Sequence, residues 1–196
     1  MRSLNSILLL LVLLHGPEGM AQDANEYITR AAAYADRALF SEAIEAYTGA
    51  IEKEDDYRLF TGRGEVFLQT GNTAKAIDDF QQANRLAPGS GYMGLARAYA
   101  IRGDYSRAVD ELQQHLRSAW RLPRKVIMLD PYLTLMEDSP EWRELWKNDW
   151  YSQIEEGMAE IEYYIDAGRI EEAERLYCPT LNIYIRRDPR YHILKD

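Results

Sequence analysis

The sequence predicts an all-α protein built as a right-handed α-solenoid of stacked helix pairs, and three observations point there. The first is an internal repeat. Ala43-Ile44, Tyr47 and Ala50 recur 33 residues later as Ala76-Ile77, Phe80 and Ala83, and Ala31, Tyr34 and Ala38 recur at the same offset as Gly64, Phe67 and Gly71. A third copy follows after 32 residues as Ala96, Tyr99, Gly103, Tyr105, Ala108-Val109 and Leu112. The second observation is residue size. Small residues (Ala31, Gly64, Ala96; Ala43, Ala76, Ala108) stand where two helix backbones must approach, and large ones (Tyr34, Phe67, Tyr99; Tyr47, Phe80, Leu112) fill the space beside them. The third is a break in the middle of each copy, at Ala38-Leu39, Gly71-Asn72 and Gly103-Asp104. Gly and Asn take the left-handed conformation that ends a helix, and Ala does so less willingly. Each copy therefore reads as two antiparallel helices joined by a tight turn.

In chain order, residues 1–21 have the layout of a cleaved signal peptide. Arg2 supplies the positive start, Ile7 to Leu14 form an unbroken apolar run, and small residues precede Gln22. Eight helical residues span about 12 Å, too short for a bilayer core of about 30 Å. Cleavage after Ala21 implies export, to the periplasm or out of the cell. The chain has no Asn-x-Ser/Thr sequon, which favours a bacterial envelope over a eukaryotic secretory route. Residues 22–120 carry the three repeats. Residues 121–153 should be a degenerate unit, broken into short pieces by Pro123, Pro131 and Pro140, with Asp130-Pro131 and Ser139-Pro140 as helix starts. The pattern returns over 154–196: Ile161, Tyr164, Gly168, Ile170, Ala173 and Tyr177 repeat the third-copy slots at an offset of 65 residues. Pro88 closes the second unit, because its ring blocks continuation of a helix.

FSEAIEAYTGAIEKEDD, NTAKAIDDFQQANRLAP and DYSRAVDELQQHL resemble the second helix of the tetratricopeptide repeat (TPR) family, and GEVFLQTGN and LARAYAIRGD resemble the end of its first. The departures are His115, which replaces the small residue at Ala50 and Ala83, and Asp55 and Trp120, which take the place of the terminal Pro. The third unit is therefore expected to pack differently on its C-terminal side. The resemblance implies a concave face lined by first helices, the seat for an extended peptide or partner helix. It places Asn25, Ile28, Ala32, Arg58, Thr61, Glu65, Gln69, Met93, Arg97 and Ile101 on that face. This is not the basic and amide set with which chaperone-binding members grip a terminal carboxylate.

Chemistry is sparse. The chain has 23 basic and 32 acidic residues, a net charge of −9, which excludes a phosphate-gripping nucleic-acid binder. Without the leader, the histidines are His115 and His192, far apart, and no metalloprotease, P-loop or nucleophile-elbow motif occurs. No catalytic residue, metal site or cofactor is expected. Gly89 to Gly94 spell G-x-G-x-x-G, but a helix rather than a strand precedes them, so the motif reads as a loop. Trp142, Trp146 and Trp150 fall four residues apart on one helical face and should cap the solenoid end; exposed, they would stack on sugars. Glu52, Glu54, Asp55 and Asp56 read as a solvated helix end. His115, Arg117, Arg121, Arg124 and Lys125 form a basic cluster that complements a helix C-terminus or docks an acidic partner. Cys178, the single cysteine, reads as an inert thiol. The leading expectation is a non-enzymatic scaffold for a protein or peptide in the cell envelope. Its rivals are a glycan-binding protein and an accessory domain of an enzyme or sensor that continues past Asp196.

Overall fold

In the computed structural model, residues 17–176 are described, and all their regular structure is helical. Three hairpins come first: α1 (Pro17–Asp36) with α2 (Phe40–Ile51), α3 (Tyr57–Gln69) with α4 (Thr73–Leu86), and α5 (Tyr92–Ile101) with α6 (Tyr105–Arg117). A broken stretch follows, made of α7 (Arg124–Met128), a 3-10 turn (Leu133–Met136) and α8 (Pro140–Leu145). A last hairpin joins α9 (Gln153–Asp166) to α10 (Ile170–Arg175). Residues 1–16 of the expected signal peptide lie outside the described residues, as do Tyr177, Cys178 and His192. The helix α1 opens with Pro17 at its first position, where a missing N–H costs nothing, and runs on past Ala21.

Each predicted break is the same helix ending. Ala38, Gly71, Gly103 and Gly168 have φ of 57, 74, 73 and 69°. The next residue's N–H reaches back to the carbonyl of Tyr34, Phe67, Tyr99 or Tyr164 (2.8–3.0 Å), and the left-handed residue's own N–H bonds Ala35, Leu68, Ala100 or Ile165 (2.9–3.0 Å). This is the paired bond of a Schellman motif. Its carbonyl acceptors include the four aromatic slots of the repeat, so the residue that fills the hairpin also anchors its turn.

The size pattern translates directly into packing. Ala31, Ala43, Ala76, Ala96 and Ala108 are wholly buried, and Tyr47, Phe67, Phe80, Tyr99 and Leu112 are buried beside them. Helices pack within each hairpin and from the second helix of one hairpin to the first of the next. First helices also touch their counterparts, α1 on α3 and α3 on α5. The cores are joined: Ile44 packs both on the Tyr47–Leu59 cluster of the first hairpin and on the Phe80–Leu112 cluster that runs onward. Arg63 adds a polar tie. It holds buried Asp79 with two bonds of 2.8 Å and reaches Thr48 on α2 at 3.0 Å.

The broken stretch keeps the register without keeping the helices. Ile127, Leu133, Met136, Trp142 and Leu145 join the main core. The 3-10 turn packs on α5, the place a next first helix would take, and α8 packs on α6. Asp130 caps the 3-10 turn by accepting from the backbone N–H groups of Tyr132 (3.0 Å) and Leu133 (3.2 Å), and Ser139 caps α8 by accepting from Trp142 N–H at 3.1 Å. The Ser139-Pro140 start lies where the sequence placed it, whereas the expected start at Asp130-Pro131 gives way to a turn and the 3-10 helix begins at Leu133.

The tryptophan stripe does not form. The helix carrying it ends at Leu145, because Leu145 O accepts from the Trp150 indole (2.8 Å) and the Asn148 side chain (3.3 Å) instead of from a continuing helix. Trp142 is buried and stands edge-on to Trp146 at 5.4 Å, while Trp146 and Trp150 lean on the core from the following loop. A fourth indole, Trp120, lies against the loop between α4 and α5: it donates to Pro88 O at 3.1 Å and stacks edge-on with Tyr57 at 5.3 Å. The last hairpin has a small core of its own, Ile161 and Ala173 with Met158, Tyr164 and Ile165 around them.

Candidate functional site

The inner face is built from residues one repeat apart. Arg58 donates to Asn25 Oδ1 at 2.7 Å across 33 positions. Arg97 donates to Glu65 Oε1 at 2.7 Å across 32 positions and to Asp130 Oδ2 at 2.7 Å across 33. Glu65, Arg97 and Asp130 thus occupy one slot on three successive units, and their charges alternate. Such a ladder forms only if the first helices lie side by side, as the contacts among α1, α3, α5 and the 3-10 turn require. Packing around Glu65 raises its carboxyl above the usual range, against the pull of Arg97.

The ten expected face residues, among which Ala32 is half-buried, divide into two groups. Asn25, Arg58 and Gln69 are exposed, and Ile28, Thr61 and Glu65 are half-buried. Arg58 is oriented by Asp56, which caps α3 through Arg58 N–H (2.8 Å) and takes its guanidinium on both carboxylate oxygens. That pairing holds the Asp56 carboxyl below its ordinary range. Of the expected solvated acidic run, Asp56 is therefore a working cap. In the third unit, Met93 is only 7% exposed and belongs to the core, Ile101 packs against that core, and Arg97 is shared between Glu65 and Asp130. The broken stretch covers this end of the face, so the open part lies on the first two hairpins.

The basic cluster is engaged within the chain. Arg117 packs over the Trp150 ring (5.4 Å), Arg121 over Tyr151 (5.0 Å), Arg124 over Trp146 (5.2 Å) and Lys125 over Tyr163 (4.3 Å). Arg121 also pairs with Glu155, and Arg124 with Glu156 at 2.7 Å. Four cations thus fasten the end of α6 and the segment after it to the loop and helix that follow α8. His115 does not share in this. It is buried, its Nε2 accepts from Leu122 N–H at 3.1 Å, and burial lowers its pKa to about 4, so it stands neutral and cannot complement a helix dipole. It takes the slot held by Ala50 and Ala83 in the first two units and ties down Leu122, where the chain leaves the repeat.

The G-x-G-x-x-G segment is structural. The carbonyl of Phe80 passes so close to Gly91 that a Cβ there would collide with it, and the Phe80 ring lies against Gly94. Asn84 Oδ1 accepts from both Gly89 N–H (3.2 Å) and Gly91 N–H (2.8 Å), which closes the loop. Backbone donors that would cradle a phosphate are spent on this side chain. Among the described residues no group of three His, Cys, Asp or Glu is placed to hold a metal ion, and no helix is long and apolar enough to cross a membrane. Sequence reasoning missed Asp130 and the Arg63–Asp79 tie. The first was within reach, since 65, 97 and 130 are one period apart; the second has no periodic signal.

Repeating hairpins, a shared turn and a one-slot ladder match one family. Residues 19–91 fit the tetratricopeptide repeat family model. That stretch of the chain is similar to tetratricopeptide repeats. The chain is 37% identical over 78 residues to the small glutamine-rich tetratricopeptide repeat-containing protein 2 of Mycosarcoma maydis, a match that takes in 38% of this chain and 22% of that protein. This chain thus spans about a fifth of the length of the curated relative it matches, and the family match covers the first two hairpins, which hold the open part of the face.

Proposed function

We propose that this protein is a non-enzymatic scaffold that binds an extended peptide or partner segment on the inner face of its first two hairpins. The observation that supports this most is the division of the face. Asn25, Arg58 and Gln69 present two amides and a cation to solvent beside the half-buried Thr61 and Ile28, the latter packed in part on the first hairpin's core, whereas in the third unit Met93 is core and Arg97 is shared between Glu65 and Asp130. Repeats of this family serve protein–protein contact, and an extended segment laid along such a groove gains main-chain and side-chain contacts from successive units. The engaged state of Arg117, Arg121, Arg124 and Lys125 turns the reading away from an acidic partner at that cluster.

Peptide display against the full chain tests the site. Selected peptides should lose about tenfold or more in affinity with Gln69→Arg or Thr61→Trp, and nothing with Asp78→Arg on the exposed side of α4. Equal losses at both faces, or selection of no peptide, would overturn the reading. Export follows from residues 1–21, and Edman sequencing of the protein from its native host should begin at Gln22. A chain that keeps Met1 would end the envelope assignment.

A further inference from the structure

One slot of the inner face holds more negative charge than positive. Glu65 on α3 and Asp130 ahead of the 3-10 turn share the single guanidinium of Arg97. The two carboxylates are not used alike. Asp130 is buried and spends both oxygens, Oδ2 on Arg97 and Oδ1 on the N–H groups of Tyr132 and Leu133. Glu65 gives Arg97 only Oε1, at 2.7 Å, and its side chain is 37% exposed, so Oε2 accepts nothing among the described residues and stays within reach of a partner. Tyr132 borders the same slot. Its half-buried phenol feels the charges of Glu65, Arg97 and Asp130, and its hydroxyl bonds nothing among the described residues.

Unbalanced charge beside an unspent acceptor selects the partner's chemistry. An anion there would meet two carboxylates. A neutral group would leave the imbalance in place where packing makes it costly, a cost that shows in the raised Glu65 carboxyl. A cation cancels it. Because Oε1 is already taken, the fork of an arginine cannot close on both carboxylate oxygens, whereas a lysine ammonium is a point donor with hydrogens for one oxygen and a phenol. The position suits a bound segment, since Glu65 stands four residues, one helical turn, from both Thr61 and Gln69 on the open part of the face. Resting on the peptide-binding reading above, we propose that the segment held on the inner face carries a lysine whose ammonium docks on Glu65 Oε2, with the Tyr132 hydroxyl as its second acceptor.

Peptides selected by display against the full chain carry the test. Those that lose affinity with Gln69→Arg should share a lysine at one fixed position, and its replacement by glutamine should raise Kd about tenfold. Against Glu65→Gln, which still offers Arg97 an oxygen but sheds the charge, the same replacement should cost about twofold or less, because the lysine's partner is gone. Tyr132→Phe should weaken the lysine peptide about threefold and its glutamine version not at all, a readout that stands even if Glu65→Gln loses its helical circular dichroism. Selected peptides without a fixed lysine, or a lysine whose loss costs the same in the folded variants as in the original chain, would overturn the inference and leave the peptide face standing. Selection of no peptide would overturn both.

Discussion

The first three hairpins and the stretch between α6 and α9 hold the same solenoid register by different means. In the hairpins it is apolar: small residues at fixed slots, one large residue beside each, and one turn used again and again. In the stretch after His115 polar ties are added to an apolar anchor of Ile127, Leu133, Met136, Trp142 and Leu145. Asp130 extends the Glu65–Arg97 ladder by one unit although no full helix carries it, and ring-packed arginines do the fastening that helix faces do elsewhere. A unit's place in a solenoid can therefore outlast its helices, provided the residues that contact the preceding unit stay at the right spacing.

The sharpest way to break this comparison is to overfill an apolar slot. Ala76→Trp places an indole where α3 and α4 meet with no free space and should cost about 3 kcal/mol. A thermal melt that barely moves would show that the hairpins are not held by their small residues.

His115 sharpens the boundary. Its folded pKa is about 4 against 6.5 in the unfolded chain, so the native state excludes the proton. Above pH 6.5 both states are neutral and nothing is lost; stability falls as pH drops from 6.5 toward 4, by about 2 kcal/mol at pH 5. His115→Gln, which still offers an acceptor to Leu122 N–H, should flatten the melting temperature across that window. Unchanged acid sensitivity would assign it to other groups.

The smallest effect lies in the turns. Ala38 holds φ at 57° where its three counterparts are glycine. Relief of that conformation outweighs the greater freedom of glycine in the unfolded chain, so Ala38→Gly should stabilise by about 0.5 kcal/mol. Denaturant titration resolves the sign, and destabilisation would mean that the turns are not equivalent.

Most of the hairpin architecture was legible because steric slots recur: a residue type that packs against a neighbouring backbone must reappear wherever the backbone does. Ala76, Phe80 and Gly71 each announced their role in this way. The Trp142–Trp150 stripe was misread for a related reason. Spacing by four describes a helix only while the helix lasts, and the caps on Leu145 O come from side chains three and five positions on, which periodicity does not weigh. The basic cluster looked free because its partners, Glu155, Glu156 and four rings, lie some thirty residues downstream and belong to no repeat. On the face, the sequence placed Asn25, Arg58 and Gln69 where the structure has them exposed. It could not show that Met93 and Arg97 are covered, since the cover is the irregular stretch itself.

Trp120 carries a mechanical consequence. A superhelix of this kind changes its curvature by spreading or closing the gaps between consecutive loops on one edge. One indole bridges that edge, bonded to Pro88 O and leaning on Tyr57. Bending that opens the edge must pull the ring from its phenol neighbour and break its N–H bond together. Trp120 emission would register the moment this contact gives.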